Sequence, residues 1–143
     1  SPQDLQRGVE GAYGLFANLY EWELLQKHTN KTAEQILGAV PLVVITRGAQ
    51  GALIYHQGKE FNITTFKPEK IVDPTGVGDA FRGGFLRGWQ LNLDLEICGQ
   101  MGSLAAVYCL EKRGTQSHSY TREEFIKRFR EQSDDQGALD ALL

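Results

Sequence analysis

The chain has 143 residues, a length typical of one domain, and its 41% hydrophobic and 23% charged residues allow a packed globular core. The formal net charge is −3 and Lys and Arg form no dense run, which argues against nucleic acid or an anionic membrane as a partner. No apolar stretch approaches the roughly 20 residues of a membrane span and no leader-like segment is visible, so we expect a cytoplasmic protein.

The first predicted elements are a strand and a helix. Residues 1–12 are polar and carry no start signal, and we interpret them as the remnant of an upstream segment. The apolar run over residues 13–17 predicts a buried strand that ends at Asn18, and helical spacing begins after Glu21. An Asn at a strand end with a Glu in the first helical turn is also typical of an ordinary helix cap.

A short helix and a second strand follow. Residues 32–35 fit a capping box, and residues 42–45 are continuously apolar and β-branched, as in a strand covered on both faces. Thr46 ends this strand, and the glycines at 48 and 51 predict a turn before a further strand. Small residues in such a turn let a phosphate approach the backbone, and a plain hairpin turn is the alternative.

A glycine-rich stretch marks a junction between a strand and a helix. It runs Asp73-Pro74-Thr75-Gly76-Val77-Gly78-Asp79. The unpaired N–H groups at the start of a helix favour an anion there, and a carboxylate at Asp79 would stay ionised beside it and could act as a base. The alternative is that Asp79 only caps a helix that begins at Ala80.

The remaining chain is predicted to be helical. Glycines 83, 84 and 88 would let the helix over residues 80–89 pack closely against the sheet, and a second helix would begin after Asp94. Residues 121–124 fit a capping box for a final helix, and we expect residues 133–143 to be a frayed tail. Cys98 and Cys109 would lie about 16 Å apart on one helix, so they cannot bridge each other and are predicted to be buried thiols.

Three strand ends in this prediction carry polar residues, at Asn18, Thr46 and Asp73. Ligands of open α/β sheets bind at the carboxyl ends of the strands, so a sheet that aligns these runs would gather them at one edge.

The glycine-rich stretch resembles the second signature of the ribokinase-like (PfkB) carbohydrate and nucleoside kinases, which runs Asp, a small residue or Pro, Thr, two small residues, Gly, Asp. Val77 departs from it, because a β-branched side chain stands where a small residue is usual. Residues 80–84 and 113–118 look closest to the bacterial adenosine-kinase-like branch. The resemblance implies an α/β fold, the C-terminal portion of a ribokinase-like three-layer α/β/α sandwich, with residues 13–132 as its nucleotide-binding half.

The resemblance also implies roles for individual residues. Asp79 would be the base that takes the proton from the substrate hydroxyl. The anion hole for the transferred phosphoryl group would be formed by Gly76, Val77 and Gly78. Nucleotide contacts would come from Asn18, Thr46, Arg47, Gly48, Gly51, Gly78, Gly102, Ala105 and Ala106. Asn18 and Glu21 would organise Mg²⁺ through water. Oxygens that hold K⁺ would come from Asp73, Thr75, Cys109, Lys112, Gly114 and His118, for which an ordinary loop is the alternative.

The implied activity is ATP-dependent phosphorylation of an alcohol group of a sugar or nucleoside, with Mg²⁺ as cofactor. The family's upstream Gly-Gly motif and β-sheet lid have no counterpart in residues 1–12, so we expect a fragment, a truncated product or half of a split protein that needs the missing N-terminal half. A homodimer is compatible with this interpretation. The alternatives are a non-catalytic nucleotide-binding module and an unrelated α/β domain with a structural glycine turn.

Overall fold

The computed structural model describes residues 13–68, 76–111 and 120–143. Two compact units divide the chain, residues 1–63 and residues 64–143. This division falls inside the single unit that was predicted over residues 13–132, and each unit is described by itself below.

The first unit contains a mixed four-stranded sheet. Its strands are β1 (Gly14–Asn18), β2 (Leu42–Thr46), β3 (Ala52–His56) and β4 (Lys59–Ile63), in the spatial order β1-β2-β3-β4. β1 is parallel to β2, whereas β2, β3 and β4 are antiparallel neighbours. A parallel pair needs a crossover connection, and here two helices supply it: α1 (Leu19–Thr29) and α2 (Ala33–Ala39).

β2 is the most buried strand of this unit, as its apolar, β-branched sequence predicts. Val43 and Val44 have no exposed surface. Val43 belongs to a core cluster with Trp22 and Leu25 of α1 and Ile36 of α2, so the two crossover helices cover the sheet with their apolar sides. The short helix α2 begins with the predicted capping box, since Thr32 and Gln35 exchange hydrogen bonds of 2.8 and 3.2 Å.

The second unit is helical in its described part. Its elements are α3 (Val77–Gln90), α4 (Leu95–Glu111), α5 (Arg122–Gln132) and a short 3₁₀ helix (Ala138–Leu142). Phe66 packs in the core of this unit, and its ring centroid lies 5.4 Å from that of Phe129. The strand predicted just before the glycine-rich stretch lies outside the described residues.

α3 and α4 approach each other closely because glycines line their contact. A Cβ atom at Gly84 would lie 2.7 Å from the Met101 carbonyl oxygen, and one at Gly88 would lie 2.9 Å from the Cys98 sulfur. Gly84 and Gly88 are therefore close-packing residues as predicted, and the neighbour that requires them is α4. A Cβ at Gly83 would meet no described residue within 4 Å, so Gly83 is not part of the close contact between α3 and α4.

The C-terminal segment is ordered, and the prediction of a frayed tail over residues 133–143 is wrong. Leu139 is fully buried and Leu142 nearly so, in the same core cluster as Phe129. The buried carboxylate of Asp135 accepts two hydrogen bonds of 2.9 Å from Arg130 and one of 2.8 Å from the Leu139 N–H. The segment looked frayed because it is mostly polar, but two of its leucines are buried and its Asp135 carboxylate binds Arg130 of α5.

Both cysteines are buried and outside any disulfide, as predicted. Burial raises the pKa of the Cys98 thiol to about 11, which keeps it protonated at neutral pH. Within residues 13–68, 76–111 and 120–143, no helix is long and apolar enough to cross a membrane.

Candidate functional site

Asn18 and Glu21 meet at the carboxyl end of β1. Asn18 is the N-cap of α1, and its Oδ1 accepts a 2.7 Å hydrogen bond from the Glu21 N–H. In return, the Asn18 N–H donates to Glu21 Oε1 over 2.9 Å. The ordinary cap that was the alternative interpretation is thus present, and it holds the exposed Glu21 carboxylate in a fixed place at the edge of the sheet.

Thr46 occupies the equivalent position on the neighbouring strand. β1 and β2 are parallel and in register, with Asn18 opposite Thr46. Neighbouring strands lie about 4.8 Å apart, so the polar ends of both strands stand side by side. The sequence argument that parallel strand ends would bring these residues together is confirmed for this pair, while Asp73, the third strand end, lies outside the described residues.

The turn after Thr46 is a single 3₁₀ turn over Gly48–Gln50. Gly48 and Gly51 have φ values of +58° and +88°, which other residues rarely adopt. A Cβ at Gly48 would meet nothing within 4 Å, and the residue is exposed. The turn is therefore a hairpin turn between β2 and β3, and its Gly48 backbone is open to an approaching ligand.

The second glycine turn opens α3. Gly76 is the N-cap, with φ +81° and ψ 4°, and its carbonyl accepts the first helical hydrogen bond from the Ala80 N–H over 2.9 Å. Val77, Gly78 and Asp79 are the first three helical residues, so their N–H groups have no acceptor within the helix. Such a row of N–H groups at the positive end of a helix dipole suits an anion.

This geometry excludes the alternative interpretation of Asp79 and shows which residue of the turn needs a glycine. Asp79 is the third helical residue and not the N-cap, so its carboxylate is not needed to begin the helix. Val77 has a helical backbone, and the left-handed conformation that demands a glycine falls on Gly76. Gly78 is exposed and a Cβ there would meet no described residue within 4 Å, so packing in the described part of this unit does not require a glycine at 78.

The small residues predicted to lie beside the nucleotide base are all on α4. Gly102 is in the contact with α3, because a Cβ there would lie 2.8 Å from the Phe81 carbonyl oxygen. Ala105 and Ala106 are buried. Helix packing alone therefore explains the glycine at 102, and contact with a base stays a prediction.

Little of the predicted K⁺ site lies within the described residues. Cys109 is buried on α4, and the other five predicted ligands fall in 69–75 and 112–119, outside the described ranges. In the described part of the chain, no group of three His, Cys, Asp or Glu side chains could hold a metal ion. A Mg²⁺ ion near Glu21 would thus depend on phosphate and water oxygens with a single carboxylate, which is a usual arrangement for this ion.

Asn62 is a residue of this region that the sequence analysis did not single out. It lies on β4, and its Oδ1 accepts a 3.1 Å hydrogen bond from Arg47 Nη2 in the turn after β2. The two residues are far apart in sequence, and the strand pattern around Asn62 carried no signal of this contact.

Comparison with known proteins places these observations in a family. Residues 1–122 match the family described as pfkB family carbohydrate kinase, and the chain belongs to this family.

Three of its relatives are nucleoside kinases. The chain is 33% identical to a nucleoside kinase of Methanocaldococcus jannaschii over 120 residues, which cover 84% of this chain and 40% of that protein. It is 51% identical to a cytidine kinase of Thermococcus kodakarensis over 74 residues, 51% of this chain and 27% of that protein. The solved nucleoside kinase of Burkholderia thailandensis in complex with inosine superposes with a TM-score of 0.89 at 34% identity, covering 92% of this chain and 44% of that one.

These similarities confirm the expected fold, that of the ribokinase-family α/β kinases. The chain spans 40% of the length of the Methanocaldococcus jannaschii kinase and 44% of the length of the Burkholderia thailandensis kinase.

Proposed function

We propose that this chain carries the ATP-binding, C-terminal part of a kinase that transfers a phosphoryl group to an alcohol group of a nucleoside or sugar. The observation that supports it most is the start of α3, where exposed Gly78 and Asp79 follow a left-handed Gly76 in a chain of the PfkB family. The N–H groups there would stabilise the transferred phosphoryl group, and Asp79 would accept the hydroxyl proton of the substrate.

The parts that phosphoryl transfer needs are positioning, charge neutralisation and a base. Positioning of the phosphates is assigned to the open glycine backbones at Gly48 and Gly78, with the base of the nucleotide beside α4 near Gly102. Neutralisation is assigned to Mg²⁺, which would be organised by Glu21 and Asn18 through water. Glu21 suits this role because the cap fixes one carboxylate oxygen and leaves the other for a metal-bound water.

We favour a nucleoside over a sugar as the phosphate acceptor. The relatives with a third or more of their residues identical include nucleoside and cytidine kinases, and one solved relative is bound to inosine. The finer assignment to the adenosine-kinase-like branch is part of the same proposal. The acceptor pocket would lie mostly in the rest of a full-length kinase, which would also supply the lid that excludes water during transfer.

A monovalent-cation site is a further part of the proposal. K⁺ would be held by oxygens of Asp73, Thr75, Cys109, Lys112, Gly114 and His118. The activity of a full-length kinase that carries this segment should then be higher in K⁺ than in Na⁺ or choline salts. Equal rates in all three salts would remove the site from the proposal.

The alternative is a non-catalytic nucleotide-binding module or one half of a split kinase, acting in the cytoplasm with a separate N-terminal half or as a homodimer. Nucleotide binding without turnover after a matching N-terminal half is added would support the module.

Calorimetry of this chain with ATP or ADP and Mg²⁺ tests the proposed function. We expect binding that is weakened by Asn18→Ala and by Gly78→Val. Gly38→Val on α2 is the matched control for the second variant, because Gly38 is also an exposed helical glycine and a Cβ there would meet no described residue within 4 Å. If both Asn18→Ala and Gly78→Val bind as tightly as the parent, the site is misplaced.

A further inference from the structure

Arg47 makes both backbone and side-chain hydrogen bonds within the turn that follows β2. The Arg47 N–H donates to the Gly51 carbonyl over 2.8 Å, and the Arg47 carbonyl accepts from the Gln50 N–H over 3.1 Å. The guanidinium then returns to the same turn, where Nη2 donates to the Gln50 carbonyl over 3.1 Å. Arg47 is thus bonded to the turn through its backbone and its side chain.

The same nitrogen also ties the turn to a distant strand. Nη2 donates to Oδ1 of Asn62 over 3.1 Å. Asn62 is opposite Leu53 in the pairing of β4 with β3, so the guanidinium reaches across β3 from the end of β2. One nitrogen with two hydrogens therefore connects the turn to β4, the fourth strand of the sheet.

The side-chain contacts of Arg47 with Gln50 and Asn62, called the brace below, can stabilise a turn that would otherwise change conformation easily. Two of its residues, Gly48 and Gly51, have left-handed backbones, and a glycine in an unbound turn can leave that conformation at little cost. A binding turn that is already ordered loses less conformational entropy when its ligand arrives. Hydrogen bonds from a charged donor are stronger than neutral ones, which suits a guanidinium to this task.

We infer that Arg47 and Asn62 act together as positioning residues, which hold the Gly48–Gly51 turn in the conformation that receives the nucleotide phosphates. The inference rests on the proposed function and adds Asn62, which contacts no ligand in that proposal. It also gives Nη2 of Arg47 a role other than a direct phosphate contact, because Nη2 donates to Gln50 and Asn62.

Three variants separate a brace from a charge effect. Arg47→Lys keeps the positive charge but lacks the planar fork that holds two acceptors, and Asn62→Ala removes an acceptor without touching the charge. We expect each to weaken Mg-ADP binding by roughly tenfold, and the double variant to bind no worse than either single one, because both changes break the same link. Lys59→Ala, which removes a charge at the start of β4, is the control and should bind like the parent.

Amide hydrogen exchange measured by NMR without nucleotide provides a second readout. The Gln50 and Gly51 N–H groups are hydrogen-bonded within the turn, so their exchange reports its opening. Arg47→Lys and Asn62→Ala should both speed their exchange, whereas Lys59→Ala should not. A parent chain that fails to bind Mg-ADP would refute the proposed function, and the exchange rates would still decide whether the brace exists.

Three results would overturn the inference. One is parental affinity and parental exchange in Asn62→Ala. Another is full affinity in Arg47→Lys, which would show that charge alone matters. The last is weak binding in Arg47→Lys with parental binding in Asn62→Ala, which would make Arg47 a direct phosphate ligand.

Discussion

Replacing Gly84 by alanine tests the close approach of α3 to α4. The added Cβ would lie 2.7 Å from the Met101 carbonyl oxygen and 3.0 Å from both the Gly102 Cα and the Ala105 Cβ. Two of these atoms belong to the backbone of α4, so the steric overlap can be removed only if the two helices move apart. Overpacking of this kind costs about 1–3 kcal/mol of the free energy of unfolding.

Gly83→Ala is the matched control. It lies one residue earlier on the same helix, and a Cβ there meets nothing within 4 Å. Both substitutions gain about 1 kcal/mol from the higher helix propensity of alanine, so this gain cancels in the comparison. We expect Gly83→Ala to be more stable than the parent, and Gly84→Ala to be less stable than Gly83→Ala by about 1–3 kcal/mol.

Urea denaturation followed by far-ultraviolet circular dichroism measures both variants against the parent. If the slope of unfolding free energy against urea concentration is the same for both variants, a difference in midpoint is a difference in stability. If the two variants are equally stable, the helices are not packed on glycine at this point. The explanation of Gly84 as a packing residue would then be wrong.

The remaining predictions concern single residues. Asp79→Asn in a full-length kinase carrying this glycine turn should keep nucleotide affinity while kcat falls roughly 10²–10⁴-fold, the usual contribution of a positioned base; a well-folded variant with near-parental turnover would refute the assignment. Gly76→Ala should lower the unfolding free energy by about 1–2 kcal/mol, because alanine is strained at φ +81°, whereas Gly78→Ala should not lower it; equal stability of the two would contradict the described N-cap. The hydrogen bonds from Arg130 hold the pKa of the Asp135 carboxyl well below its usual range. Their contribution to stability should be complete above the unfolded-state pKa of about 3.9 and be lost as pH falls further, and an Asp135→Asn variant with the same acid-unfolding profile as the parent would exclude it.

Local signals in the sequence were sufficient for most of the described elements. The Thr32 cap, the apolar run of β2 and the strand end at Asn18 all depend on residues within a few positions of each other, and the structure has each of them. The family signature likewise lies within one short stretch, which is why the family could be recognised from it.

The features that sequence reasoning missed depend on distant partners. Nothing near Leu139 shows that it is buried with Phe129, and nothing near Asn62 shows that Arg47 reaches it across β3. Gly84 was correctly interpreted as a close-packing residue, but a glycine does not indicate whether its neighbour is a sheet or a helix. The alternative interpretation of Asp79 as a helix cap was wrong because the N-cap is Gly76, and the residue types alone do not specify which residue takes that position.

The reciprocal cap at the end of β1 also determines which of its two side chains can donate a hydrogen bond to a ligand and which can accept one. Because Asn18 Oδ1 accepts from the Glu21 N–H, the orientation of the amide is determined and its NH₂ group is the part left for another partner. Glu21 Oε1 accepts the hydrogen bond of the cap, and Oε2 is left as an acceptor for a ligand. Asn18 can therefore offer hydrogens to an anion while Glu21 offers an oxygen to a cation or its water. An aspartate at position 18 would cap the helix equally well and would reverse the first of these two preferences.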